Sequence, residues 1–167
     1  NITTLRYVEA GGNMTLDATA FRNLEILKNN AEGKRYGSLL WLLDRTKTGM
    51  GARKLVSMLC APLCDKAQIE RRLDAVEELC KATVIRMGLA DMLGGVRDIE
   101  RLAGRVSNGN IQPKDCLLLA SSLSVIPNLK FQLSGFSSSL LKGISDDLVD
   151  PSPVCELLKQ AISSEAT

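Results

Sequence analysis

The sequence predicts an all-α fold, an irregular multi-helix bundle or array with at most one short N-terminal strand. Three observations carry that prediction. Apolar residues recur at three- and four-residue intervals in most segments. Alternation of apolar and polar residues is confined to Met14-Thr15-Leu16-Asp17. Capping residues and helix breakers divide the rest of the chain into short stretches.

Taken in order, residues 1–13 end in Ala10-Gly11-Gly12-Asn13, turn chemistry that reads as the end of an upstream connection. Phe21, Leu24, Ile26 and Leu27 form a short helical or extended link, closed by the polar break from Lys28 to Tyr36. Ser38-Leu39-Leu40-Trp41-Leu42-Leu43 is apolar on every side, as expected of a helix enclosed by others. The next helix begins after Thr48-Gly49, carries Leu55, Val56 and Leu59 on one face, and ends before Pro62. Asp65 with Gln68 three residues later fits a capping box, and Ile69, Leu73, Val76 and Leu79 follow at helical spacing.

Thr83 to Leu93 repeats the pattern with Ile85, Leu89 and Met92, and stops at Gly94-Gly95, where a left-handed closing residue is expected. Ile99, Leu102, Ala103 and Val106 form a further helix, ended by Asn108-Gly109-Asn110. Pro113 opens a helix with Leu117, Ala120 and Leu123 toward the core, and Pro127 interrupts it. Leu140, Leu141 and Ile144 make a short helix after Ser137-Ser138-Ser139. Asp150-Pro151 starts the last one, with Val154, Leu157, Leu158, Ala161 and Ile162 as its apolar stripe. The expectation is about eight helices joined by short loops.

Composition narrows the function. A chain of 167 residues with 45% hydrophobic content suffices for one globular domain. Lys+Arg 21 against Asp+Glu 19 gives a net charge of +2, too little for a broad field that grips nucleic acid or an anionic membrane. With no histidine, histidine-dependent catalysis, Ser-His and Cys-His nucleophile pairs and most zinc sites are excluded. Cys60, Cys64, Cys80, Cys116 and Cys155 are unevenly spaced, which reads as reduced thiols and a cytoplasmic setting. The densest apolar run, Leu39 to Leu43, falls far short of the roughly 20 residues of a membrane span, so no membrane partner is expected. No basic leader precedes an apolar stretch, and the chain opens at Asn1 without methionine, so it reads as a piece of a longer protein.

Four constellations invite chemistry. Gly49-Met50-Gly51-Ala52-Arg53-Lys54 sets glycines and cations at a helix start, but completes neither phosphate-loop spacing; it reads as a tight helix entry. Cys60 and Cys64 lack the further ligands a zinc site needs and read as small buried hydrophobes. Arg97, Arg101 and Arg105, four apart, would share one helical face as a candidate DNA phosphate row, with Asp98 and Glu100 close enough to neutralise it. Asp74, Glu77 and Glu78 are candidate acid and base groups, although Arg71 and Arg72 on the same helix make ion pairing the simpler account. The aromatics are too scattered for a base-stacking platform.

A longer pattern runs through Met14-Thr15-Leu16-Asp17-Ala18-Thr19 and Arg22-Asn23-Leu24-Glu25-Ile26. It continues through Gly37-Ser38-Leu39-Leu40-Trp41-Leu42-Leu43-Asp44-Arg45-Thr46-Lys47-Thr48-Gly49-Met50-Gly51-Ala52-Arg53-Lys54-Leu55, then Pro62-Leu63, Ile69 to Leu79, Asp98 to Leu102 and Pro113-Lys114-Asp115. Over residues 14 to 131 this resembles the core, or lever, domain of the MutS family of DNA mismatch-repair proteins.

The resemblance implies residues 14–167 as the first half of that helical domain, before the clamp insertion, with residues 1–13 ending the connector. It implies a parent ATPase that binds ATP and magnesium elsewhere, and acts as a homodimer or heterodimer on mismatched DNA. The partners of this stretch would be the connector, clamp and ATPase domains, in the cytoplasm at the nucleoid, or in the nucleus of a eukaryote. No catalytic, cofactor or metal residue is expected here. Trp41, Leu43, Leu73, Val76, Ile99 and Leu102 are the expected core, and Asp44, Gly51 and Arg53 the expected helix junction. The alternative is a free-standing helical adaptor that docks a partner through an apolar groove.

Overall fold

The computed structural model describes residues 12–162. Among them are ten helices and no named strand: α1 Ala18–Asn23, α2 Leu39–Leu43, α3 Gly49–Cys60, α4 Lys66–Lys81, α5 Thr83–Gly94, α6 Ile99–Ser107, α7 Pro113–Leu123, α8 Ile126–Ser134, α9 Ser139–Asp147 and α10 Ser152–Ala161. The alternation at Met14 to Asp17 yields only an isolated antiparallel bridge between Asn13 and Leu63. Most of the expected connector end lies outside the described residues. The described residues fall into two compact units, one of residues 12–45 and 53–70, the other of 46–52 and 71–162.

In the first unit, the Asp17 carboxylate accepts the Ala20 N–H at 2.6 Å and starts α1. After α1 the chain turns through Glu25, whose φ of 48° lies in the left-handed region. The polar break that follows is built around one side chain. Asn29 Oδ1 accepts the Glu32 and Lys34 N–H groups at 2.9 and 3.2 Å, and its amide donates to the Tyr36 carbonyl at 2.9 Å. The N–H groups of Leu39 and Leu40 then donate to the carbonyls of Glu25 and Ile26, which seats α2 on the turn and buries Ile26 and Leu40. Ser38 is buried and spent locally: its hydroxyl donates to the Arg35 carbonyl at 2.6 Å and accepts the Trp41 N–H at 3.2 Å.

The expectation that Ser38–Leu43 is enclosed on all sides is corrected here. Of its large side chains only Leu40 is buried; Trp41 and Leu43 are 43% and 47% exposed. A helix of five residues has little more than one turn, so a single neighbour covers a single side. Trp41 instead packs its ring on Tyr36, centroids 4.6 Å apart and tilted by 58°.

The second unit has an apolar core of Ala75, Leu89, Phe136 and Leu141, flanked by Leu79, Ala82, Met92, Leu129, Leu133 and Leu140. Helix α4 enters it through Ala75 and Leu79, four apart and so on one face, and Ala82 joins them from the link to α5. Leu73 and Val76, expected in the core, are 59% and 55% exposed. At about 100° per residue they lie roughly 160° and 100° around the helix from Ala75. The small alanine is the packed position, and the bulkier neighbours face outward.

Elsewhere in this unit α7 packs on α6 and α10, and α8 on α5 and α9. Leu102 is buried and Ile99 half-buried at the first of these contacts. Pro127 does more than interrupt a helix: it occupies the first turn of α8, where no backbone donor is required. The stretch Pro113–Ser134 is, by length and a mean hydropathy of 1.3, apolar enough to cross a membrane. It exceeds the Leu39–Leu43 run that the sequence singled out, but a turn at Ser124–Val125 breaks it, and both halves pack on other helices. Helix α6 ends as expected, with Gly109 at φ 66° and the N–H groups of Gly109 and Asn110 returning to the carbonyls of Val106 and Arg105. Helix α5 does not: Gly95 keeps a right-handed φ of −83°.

Candidate functional site

Among the described residues, several acidic side chains are committed to helix starts. Asp65 Oδ1 accepts the N–H groups of Ala67 and Gln68 at 2.8 and 3.3 Å, while the Gln68 amide donates to Oδ2 at 3.2 Å. Asp98 accepts the Arg101 N–H, and Asp150 accepts both the N–H and the hydroxyl of Ser152. Backbone donation holds Asp65 below its ordinary carboxylate pKa, and the Ser152 hydroxyl and N–H do the same for Asp150.

The candidate acid and base group resolves in the same way. Asp74, Glu77, Glu78, Lys81, Ser137 and Ser138 line a shallow cleft of about 310 Å³ in the second unit. Glu77 is paired with Lys81, whose hydrogen bond lowers its pKa. Glu78 reaches across from α4 to the start of α9 and accepts the Ser137 and Ser138 N–H groups at 2.5 and 2.8 Å, which also lowers its pKa. A general acid near neutral pH needs the opposite shift. The arrangement clamps two helices together and favours carboxylates that stay ionised.

The three arginines do not form one row. Arg97 precedes α6, and its N–H donates to the buried Ser122 hydroxyl at 2.9 Å. Arg101 lies 3.5 Å from Asp98, and Arg105 pairs with Asp115 at 2.6 Å. Two of the three charges are thus already opposed by carboxylates on the protein.

At the expected junction, the Asp44 N–H closes α2 on the Leu40 carbonyl, and its carboxylate pairs with Arg35. Thr48 starts α3 by accepting the Gly51 N–H at 3.0 Å, and a Cβ on Gly51 would sit 3.0 Å from that same hydroxyl. Arg53 is exposed on α3. The cysteines are not uniformly buried: Cys155 is, Cys60 and Cys116 are half-buried, and Cys64 and Cys80 are exposed. Among the described residues no group of three or more Cys, Asp or Glu side chains is placed to hold a metal ion.

Sequence reasoning missed the Glu78 bridge, which joins positions about 60 apart and leaves no local signature. It also missed Ser122, whose signal was a serine inside an apolar helix. Its hydroxyl donates to the Leu118 carbonyl at 2.8 Å while accepting Arg97.

Comparison with known proteins fits this architecture. The family model for MutS domain III matches residues 19–167. The chain is 43% identical over 165 residues to the DNA mismatch repair protein MutS of Caldanaerobacter subterraneus, covering 99% of this chain and 19% of that protein. It is 42% identical over 161 residues to the protein of the same name from Chlorobaculum tepidum, covering 96% and 18%. The protein of that name from Myxococcus xanthus is 42% identical over 157 residues, covering 94% and 18%. The chain therefore spans less than a fifth of the length of these relatives. With a family model over most of its length and relatives of this identity, the chain belongs to the MutS family and corresponds to its domain III.

Proposed function

We propose that this chain is the lever of a MutS-type mismatch-repair ATPase, a stack of capped helices that passes the nucleotide state of the ATPase domain to the DNA clamp. The observation that carries this reading is where the carboxylates go. Asp65, Glu78, Asp98 and Asp150 each hold a helix start, and the Glu78 clamp ties α4 to α9. Groups committed to backbone donors stiffen helices, and stiffness is what an element needs if it is to carry a displacement between distant sites. In this reading mismatch recognition and ATP hydrolysis, with its magnesium, belong to other parts of the protein, which acts as a dimer on mismatched DNA.

The test uses the full-length protein carrying Glu78→Ala, followed by stopped-flow for ATP-triggered release from mismatched duplex and by steady-state ATP hydrolysis without DNA. A lever predicts release slowed about five-fold or more, the lower end of ordinary coupling, with DNA-free hydrolysis within about two-fold of the unaltered protein. Equal loss of both activities, or no change in either, contradicts it.

A further inference from the structure

Cations and carboxylates are equal in number between Asp17 and Asp44, but they are not evenly placed: the charged residues that line one cleft of the first unit are both cations. Lys34 pairs with Glu32 at 2.7 Å, Arg35 pairs with Asp44, and the Glu25 carboxylate is taken by the Asn30 N–H at 2.6 Å. Arg22 and Lys28 remain, both exposed and neither with an acidic partner among the described residues. These two line the same cleft, about 510 Å³, whose apolar lining comes from Ala18, Phe21 and Leu27. Phe21 and Leu27 are only half-buried, so the cleft presents apolar surface that is still open to an occupant.

We propose that this cleft is a docking site for an acidic peptide segment, an apolar side chain flanked by carboxylates. The apolar side chain fills the space against Phe21 and Leu27, and the carboxylates meet Arg22 and Lys28. The alternatives fit less well. A nucleic acid backbone brings anions but nothing apolar to fill the cleft, and a single aromatic without a basic track is a poor stacking platform. An uncharged apolar segment leaves both cations unmatched, and charge complementarity is what selects one partner over another. This inference is independent of the lever reading, because it concerns only residues 18–33 within one unit.

The experiment is a positional-scanning hexapeptide array probed with the 167-residue chain, beside a fluorescent oligothymidylate titration of the same chain. The expected result is selection of Leu, Ile or Phe next to Asp or Glu. Arg22→Glu combined with Lys28→Glu should weaken that signal about ten-fold and shift selection to Lys-flanked peptides. Both side chains are exposed and make no hydrogen bonds that hold the fold, and circular dichroism of the double variant verifies its helices. No acidic selection, or acidic selection that survives the charge reversal, overturns the proposal. Binding of oligothymidylate that the reversal abolishes, without peptide selection, would replace it with a nucleic-acid contact.

Discussion

The turn region of the first unit and the core of the second unit are held by opposite means. Between Glu25 and Asp44 the chain is fixed by hydrogen bonds to its own backbone, most of them through Asn29 and Ser38, around only two large buried side chains, Ile26 and Leu40. The core of the second unit draws Ala75, Leu89, Phe136 and Leu141 from four separated stretches and holds them by apolar contact. A polar hub within a dozen residues costs little chain entropy to assemble. A core gathered over some 60 residues must recover its loop-closure cost through buried area. The first should loosen locally, the second should fail as a whole.

The largest effect that would break this contrast lies in the core. Phe136→Ala removes a ring that is 5% exposed and should cost about 3–5 kcal/mol in urea denaturation. A loss under about 1 kcal/mol would mean that the four residues are not the centre of the second unit.

Next comes the hub. Asn29→Ala removes three hydrogen bonds at once and strands two N–H groups and a carbonyl, for about 1–3 kcal/mol in all, since neighbouring water recovers part of the loss. Hydrogen exchange should show lost protection at Glu32 and Lys34 while the amides of α5 and α8 keep theirs. Uniform loss across both units would show that the two regions do not open separately.

Leu73→Ala sharpens the comparison from the other side. Because Leu73 is 59% exposed, the change should stay under about 1 kcal/mol in this chain, although its spacing alone would place it in a core. Ala75→Leu, two residues on, should do more damage, because the added atoms enter a position that is 3% exposed.

Leu73 also shows how far the sequence reaches. Helix existence was readable nearly throughout, because caps such as Asp65 and breakers such as Asn108-Gly109 act within one turn. Helix facing was not. On α4 two faces compete, Ile69-Leu73-Val76 by size and Ala75-Leu79 by fit, and side-chain size points to the wrong one. Alanine is buried there in one cluster with Leu89, Phe136 and Leu141, and the last two lie about 60 residues or more away in sequence. Helix α8 is hidden for another reason: inside an apolar run Pro127 signals an interruption, whereas it stands at a beginning. The acidic trio and the arginine row were visible as clusters, but their partners Ser137, Ser138 and Asp115 come from other elements. Spacing along one helix cannot supply them.

The smallest effect is electrostatic and tests whether the Glu78 clamp matters to the second unit. The Ser137 and Ser138 N–H groups favour the ionised carboxylate and hold its pKa below the ordinary 4.5 in the folded chain. A folded-state value below the unfolded one means that the native chain binds this proton less readily. The stabilisation is therefore complete above the unfolded value and is lost as pH falls through the folded one. Asp65, Glu77 and Asp150 shift the same way, so acid sensitivity alone does not isolate Glu78. The informative quantity is the difference between the unaltered chain and Glu78→Gln, followed by thermal unfolding from neutral pH downward. The unaltered chain should hold its advantage near neutrality, and the two curves should converge below the ordinary carboxylate range. Parallel curves would mean that the carboxylate's charge contributes nothing, and that the α4 to α9 junction rests on the apolar cluster and on the hydrogen bond from Arg71 to the Ser139 carbonyl.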